Sequence, residues 1–215
     1  MSAVRARHDL RGRFGRARDQ QGRETCLAFA LSDAHAEVRG TPWSPLCCEY
    51  LFYHAKQRDL LPAHVGTTIP AIRAALEHDG QPVEAAWPYL RALPADRKRW
   101  KPPAKVGTLF CRPSQNHGAA FQEIWDAVEG DKPVVVGMSF SAAFLLPDGE
   151  GVVDSGETVV PDLRHAVVVV GTGTRASRKF VLVRNSWGDT WGLAGYAWLS
   201  ERYLAARLLV ALTVH

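Results

Sequence analysis

Apolar residues recur at helical spacing three times in the first half of the chain. Leu27, Phe29, Ala30, Leu31, Ala34 and Val38 predict one helix, with Gly40 and Pro42 as its stop. Cys26 falls in its first turn. A second helix is predicted through Leu51, Phe52 and Tyr53 to about Arg58, with Ser44 as N-cap and Pro45 at the first helical position. A third begins near Thr68, carries Ile69, Ile72, Ala75 and Leu76 on one face and stops at Gly80.

Periodicity is lost between residues 82 and 116, where Pro88, Pro94, Pro102, Pro103 and Pro113 punctuate an extended run. This reads as a long connection from one lobe to the next, with a boundary near residue 112. A helix over 119–128 follows, with Phe121, Ile124, Trp125 and Val128 on one face. The pattern then changes to short β-branched or aromatic-rich runs at 133–140, 165–170, 180–184, 195–199 and 208–214, separated by glycine-rich or polar turns. The expected fold class is α+β, with a mostly helical lobe over 1–112 and a mostly antiparallel β lobe over 113–215.

Composition narrows the class further. At 47% hydrophobic and 22% charged over 215 residues the chain is neither disordered nor fibrous. No apolar run approaches the roughly 18 residues that would cross a bilayer, so no membrane partner is expected. The net charge of +4 is unevenly placed, since Arg5, Arg7, Arg11, Arg13, Arg16 and Arg18 crowd the first 18 residues. Without interleaved aromatics or a nucleic-acid motif, this arm reads as a solvated leader and not as a contact for nucleic acid. The pattern of a signal peptide is missing, so the expected compartment is the cytoplasm. Cys26, Cys47, Cys48 and Cys111 form no C-x-x-C pair and have no zinc spacing, which implies neither metal nor cofactor. Cys47 and Cys48 read as packing.

Candidate chemistry gathers on three residues. The first turn of a helix favours a thiolate over a thiol, so Cys26 is placed to be reactive. On that stretch alone, a small buried hydrophobe at a helix start is the better reading. His165 opens the run His-Ala-Val-Val-Val-Val and Asn185 ends the run Phe-Val-Leu-Val-Arg-Asn. If the two runs fold as an antiparallel hairpin about residue 175, His165 faces Asn185 at its open end, give or take a bulge. An imidazole can take a thiol proton, and an asparagine oxygen can hold that imidazole in place.

These residues resemble those of the papain-like cysteine peptidases. The run Asn185-Ser186-Trp187-Gly188-Asp189-Thr190-Trp191-Gly192, followed by Gly195-Tyr196, is similar to the family's asparagine motif almost residue for residue. Gln20 six positions before Cys26, the run Cys26-Leu27-Ala28-Phe29, and His165-Ala166-Val167 follow in the family's order. The resemblance covers the chain from about Asp9. It implies a two-lobed fold with a β-barrel-like second lobe and the active cleft between the lobes. It also implies a peptide or protein substrate, with Cys26 as nucleophile, His165 as general base and later acid, and Asn185 orienting the imidazole. Gln20 resembles the side-chain donor of the oxyanion hole, or Gln21 if the loop is one residue shorter. Gly66 would admit a substrate backbone, and Leu163 and Arg164 would edge the cleft, with the Arg164 cation lowering the proton affinity of His165. Trp187, counted with these substrate-side residues, would cover the His165–Asn185 hydrogen bond and keep water off it. The chain departs from the family at Leu27, where an aromatic residue is usual, and at Arg23-Glu24, which replace Cys-Gly and remove a disulfide. The second departure agrees with a reducing compartment. Two other readings stay open, a catalytically silent peptide-binding module and a thioester-forming acyl transferase.

Overall fold

The computed structural model describes residues 3–154 and 163–215. Along the chain the elements are β1 (Arg5–Asp9), α1 (Cys26–Val38), α2 (Cys48–Asp59), α3 (Ile69–Ala74), β2 (Ser114–His117), α4 (Phe121–Glu129), β3 (Val134–Ser139), α5 (Ala142–Leu145), β4 (Val152–Val153), β5 (Arg164–Arg175), β6 (Arg178–Arg184), β7 (Tyr196–Ser200), α6 (Glu201–Ala205) and β8 (Leu208–Val214). They group into two compact units, residues 20–114 with 214–215, and residues 1–19 with 115–213.

In the helical unit, α1 is buried from Leu27 to Ala36, polar residues included. The Ser32 hydroxyl and His35 Nδ1 are bonded inside the protein, while His35 Nε2 has no partner among the described residues. The Ser32 hydroxyl donates to Leu46 O at 2.9 Å and accepts from Gln81 Nε2 at 2.9 Å, while the same Nε2 donates to Cys47 O at 3.0 Å. Two acceptors on Nε2 fix Gln81 Oε1 as the oxygen, so His35 Nδ1–H donates to it at 2.9 Å. Burial pushes the His35 imidazole down to about 4, and the Gln81 bond only partly restores it.

The second helix begins later than Ser44 and Pro45 predict. Leu46 bridges Val83, and Cys47 N–H donates to Pro82 O at 2.9 Å, which keeps this stretch extended. Cys47 is the N-cap instead, its Sγ accepting from Tyr50 N–H at 3.2 Å and donating to Trp87 O at 3.0 Å. Burial raises this thiol to about 12, so it stays protonated and keeps donating. The third helix buries Ala71 and Ile72, and a π turn over Ala75–Asp79 extends it and buries Ala75 and Leu76. It stops at Gly80, whose φ of 67° a side chain would rarely adopt.

Residues 82–114, expected as a crossing between lobes, instead pack within the helical unit. Trp87 and Trp100 are buried, and Gln81 bridges Phe110. Glu49 holds this segment. Its side chain is fully buried, and it accepts from Arg23 at 2.6 Å, Trp100 Nε1 at 2.6 Å and Leu90 N–H at 3.0 Å. No helical or strand period is needed where side chains supply the anchors.

The second unit is built on an eight-stranded sheet of order β2-β8-β3-β5-β6-β7-β4, with β1 added to β5. The pairings of β5 with β1, β3 and β6, of β3 with β8, and of β6 with β7 are antiparallel, while β4 runs parallel to β7. The sheet is open, so the expected barrel-like lobe is an antiparallel lobe without closure. Val134 to Val136 pair with Val169 to Val167, and all six are buried. The helix α4 buries the four residues its spacing predicts.

The arginine-rich arm is no solvated leader. Residues 1–19, expected with the helical lobe, belong to the sheet unit. Strand β1 pairs with β5, Arg7 bonds Glu129 at 2.8 Å, Arg13 pairs with Asp131, and Arg16 pairs with Asp189. From inside, Arg184, only 1% exposed, donates to Gly15 O at 2.7 Å, Arg16 O at 2.8 Å and the Tyr196 hydroxyl at 2.7 Å. A Cβ on Gly195 would come within 2.2 Å of the Ala17 Cβ, so glycine there lets the arm seat.

His35 gives a direct check on the helical core. Its proton affinity is lower folded than unfolded, so the unfolded chain takes up a proton that the folded chain does not between pH 6.5 and about 4. Stability contributed by neutral His35 is thus lost as pH falls through that window. Urea midpoints at pH 7 and pH 4.5 should show wild type losing on the order of 2 kcal/mol more than His35→Gln.

Candidate active site

Cys26 is the half-buried first residue of α1. Thr25, its N-cap, makes no side-chain cap bond. The first backbone N–H groups of a helix have no intrahelical acceptor, and with the helix dipole they favour negative charge on the sulfur. The turn before it is clamped from within the helical unit. Tyr89 donates its hydroxyl to Gln20 O at 2.8 Å, so at 2.8 Å from Thr25 Oγ1 it must accept. Phe29 meets the Tyr89 ring edge-on, and Arg23 lies over its face, 4.9 Å from the centroid.

The same turn separates the two candidate glutamines. Gln20 is buried, and its Nε2 donates to Arg23 O at 2.8 Å. Gln21 is exposed and takes a left-handed φ of 54°. Gly66 is tied into the same turn. Its N–H donates to Glu24 Oε2 at 2.9 Å and its carbonyl accepts from Lys56 Nζ at 2.9 Å, so protein groups already hold both backbone atoms. A Cβ there would lie 3.4 Å from Glu24 O, an ordinary van der Waals contact.

In the sheet unit, His165 lies on β5 and Asn185 directly follows β6. The hairpin joining them is tighter than the sequence predicts. Its turn is Ala176-Ser177, with φ of 49° and 61°, as a two-residue type I′ turn requires, and a bulge between Val169 and Gly171 shifts the register. Val168 thus pairs with Arg184, and the strands run through most of the expected loop. His165 and Asn185 still meet. The nitrogen His165 Nε2 is 2.6 Å from Asn185 Oδ1, and Ser186 N–H donates to the same Oδ1 at 2.8 Å. A backbone N–H is always a donor, so Oδ1 is the amide oxygen and His165 carries its proton on Nε2. That leaves Nδ1 as the nitrogen able to accept a proton.

An aromatic cage surrounds the imidazole. The Trp187 ring centroid is 4.6 Å from that of His165, with Phe144 at 5.8 Å and Phe140 at 6.0 Å. The Trp191 ring packs on Trp187 at 5.8 Å and its Nε1 donates to Phe144 O at 3.1 Å. His165 is 4% exposed, and burial pushes it down to about 4 against the Asn185 bond, which pulls it up. Burial, and not Arg164, lowers this proton affinity. Arg164 is exposed, and successive strand residues point to opposite faces. Leu163 is also exposed, with its carbonyl accepting from Phe140 N–H at 3.2 Å.

Sequence reasoning missed Tyr89, Glu49 and Glu24. Tyr89 lies in the proline-punctuated run, where no period marks it, and a buried glutamate on a helix looks like a surface residue until its partners are known. Among the described residues, no group of three or more His, Cys, Asp or Glu side chains could hold a metal ion.

Residues 57–206 match the family model described as papain family cysteine protease. Cathepsin Q from Rattus norvegicus is 27% identical over 196 residues, covering 86% of this chain and 54% of that protein. The pollen cysteine protease Amb a 11.0101 from Ambrosia artemisiifolia is 31% identical over 138 residues, covering 63% of this chain and 34% of its own length. The chain thus spans about half or less of these curated relatives. Among solved structures, xylellain, a cysteine protease from Xylella fastidiosa, superposes with a TM-score of 0.76 at 20% identity, over 99% of this chain and 86% of that one. Digestive procathepsin L 3 of Tenebrio molitor gives 0.76 at 20% identity, over 99% and 69%. The fold is the one these structures share.

The clamp on the nucleophile turn can be tested alone. Tyr89→Phe keeps the ring and removes a hydroxyl bonded to Gln20 O and Thr25 Oγ1, so it should lower unfolding free energy by about 1–3 kcal/mol in urea denaturation. An unchanged midpoint would mean that the ring alone sets the turn.

Proposed function

The chain belongs to the papain family of cysteine proteases, and from that premise we propose that it hydrolyses peptide bonds in peptide or protein substrates through the Cys26 thiolate. The observation that carries the reading is the His165–Asn185 bond of 2.6 Å, which commits Nε2 and leaves Nδ1 for a thiol proton. In the proposed reaction Cys26 gives its proton to His165 Nδ1 and attacks the scissile carbonyl carbon. Negative charge develops on the carbonyl oxygen, where the Gln20 amide and the Cys26 backbone N–H donate. The imidazolium then protonates the leaving amine, the C–N bond breaks, and a thioester remains on Cys26. Water, deprotonated by His165, attacks the thioester, and the acid product leaves with the thiol restored.

The placement of Gln20 supports it over Gln21 as the oxyanion donor, since it is buried and anchored on the turn before Cys26. Trp187 serves by shielding the imidazole, in line with its ring contact. A reducing, cytoplasmic setting belongs to the same proposal. The tie from Glu24 to Gly66 is a hydrogen bond, which reduction leaves intact.

Labelling with a peptide vinyl sulfone tests the reading. A single adduct on Cys26 is expected near neutral pH, lost in Cys26→Ala, and a wild type that stays unlabelled would favour a silent binding module. With a fluorogenic peptide, Gln20→Ala should lower kcat by about 10²-fold, the usual cost of one oxyanion donor. Asn185→Ala should slow both labelling and turnover by at least about tenfold, because the imidazole loses the acceptor that fixes its tautomer.

A further inference from the structure

A cavity of about 340 Å³ lies wholly within the helical unit, against the turn that leads to Cys26. Gly22 to Thr25 form one side of it. Phe52 and Leu93 give it an apolar surface, while His64, Arg91 and Arg97 line it with cationic or ionisable groups. We propose that this cavity is a selectivity pocket for an acidic side chain, glutamate above all, of the peptide cleaved at Cys26. The inference rests on the peptidase reading given above and adds the class of substrate.

The first argument is that the walls are built. On one side Lys56 and Asp59, paired at 3.1 Å with side chains almost fully buried, pin the loop that carries Ala63 and His64. Lys56 Nζ donates to Gly66 O at 2.9 Å, and Asp59 accepts from Leu61 N–H at 2.9 Å and from the Thr67 hydroxyl at 2.5 Å. On the other side Glu49 accepts from Leu90 N–H and Trp100 Nε1, which fixes both ends of the segment carrying Arg91, Leu93 and Arg97. A surface loop with no such anchors would give no reason to expect a defined pocket.

Charge is the second argument. Arg23 also lines the cavity, but its guanidinium is neutralised by Glu49 at 2.6 Å and held by Leu90 O at 2.7 Å. Arg91 and Arg97 are exposed, and their side chains make no hydrogen bond or ion pair among the described residues. Glu24 is the one carboxylate in the lining, and it is engaged by Gly66 N–H. Two unpaired guanidinium groups against one carboxylate leave the cavity net positive, and each guanidinium can bind a carboxylate through two parallel hydrogen bonds in one plane. The apolar surface suits the methylene stem of glutamate.

Location is the third. Thr25 lines the cavity and adjoins Cys26, and consecutive Cα atoms are about 3.8 Å apart. A side chain seated there therefore belongs to a residue close to the bond under attack.

Two measurements test the proposal, and their failures are distinct. A positional library of fluorogenic tetrapeptides should show Glu favoured over Gln by about tenfold or more at one position. The preference should fall towards unity in the Arg91→Gln, Arg97→Gln double variant and shrink as salt is raised, and Glu24→Gln should enlarge it. Turnover without any Glu preference, or a preference that survives the double variant, would overturn the pocket. Titration of the Cys26→Ala chain with N-acetylglutamate amide, followed through arginine Nε–H resonances, needs no catalysis. Saturable shifts at Arg91 and Arg97 that N-acetylglutamine amide does not produce are expected, and their absence overturns the pocket whatever the library shows. Binding with no turnover of any peptide would instead retire the peptidase reading.

Discussion

A charged group taken out of water must find partners, and in this protein that constraint fixes the segments that have no regular structure. Glu49 is fully buried, and its oxygens are met by Arg23, Leu90 N–H and Trp100 Nε1. Arg184 is almost as buried and is met by two carbonyls of the N-terminal arm and by Tyr196. Removing one partner from such a set leaves a buried charge uncompensated, at a cost of about 3–5 kcal/mol, so neither segment can drift without a large penalty. Each cluster therefore does for an irregular stretch what backbone ladders do for a helix or a strand.

The candidate catalytic groups sit at the ends of regular elements but are oriented by these irregular segments. Asn185 follows β6, yet the loop after it is held by Arg18 O on Gly188 N–H at 3.0 Å and by the bridge from Asp19 to Trp187. Arg184, next to Asn185, ties the arm from beneath. In the helical unit, Cys26 begins α1, and the turn ahead of it is shaped by Tyr89, Glu24 and Arg23. Precision at a site of this kind comes from such supporting contacts more than from the element that carries the reacting atom.

The parts of the fold legible in the sequence are those where burial has a period. Phe121, Ile124, Trp125 and Val128 declare α4, and the valine-rich runs declare β3 and β5, because a packed face must repeat with the backbone. The arm was misread because β1 has the sequence Arg-Ala-Arg-His-Asp, whose pairing to β5 is by backbone and whose Arg7 and His8 side chains meet the distant carboxylates Glu129 and Asp131. The start of α2 was misread because Ser44 and Pro45 satisfy the local rules, while the pairing of Leu46 with Val83 overrides them. His165 and Asn185 were legible as a pair despite a wrong hairpin centre, because the asparagine motif constrains them independently of register. The bond from Gly66 N–H to Glu24 was not legible, because no sequence rule ties an exposed glutamate to a glycine 42 residues away.

The protonation of His165 joins the two halves of the chemistry. Burial among Phe140, Phe144 and Trp187 favours the neutral ring, and the single bond to Asn185 recovers only part of the lost proton affinity. By itself this histidine is neutral at pH 7. A thiolate–imidazolium pair on the proposed reading must therefore draw its stability from the thiolate, whose charge would raise the imidazole as the imidazolium lowers the thiol. Such groups titrate as a pair, with apparent values that belong to neither residue alone. The aromatic cage then has two opposed effects. It penalises the isolated cation, and by excluding water it strengthens the attraction within the pair once formed. The ion pair is thus conditional on both partners being present, which makes the neutral ring of an isolated His165 compatible with a role as base.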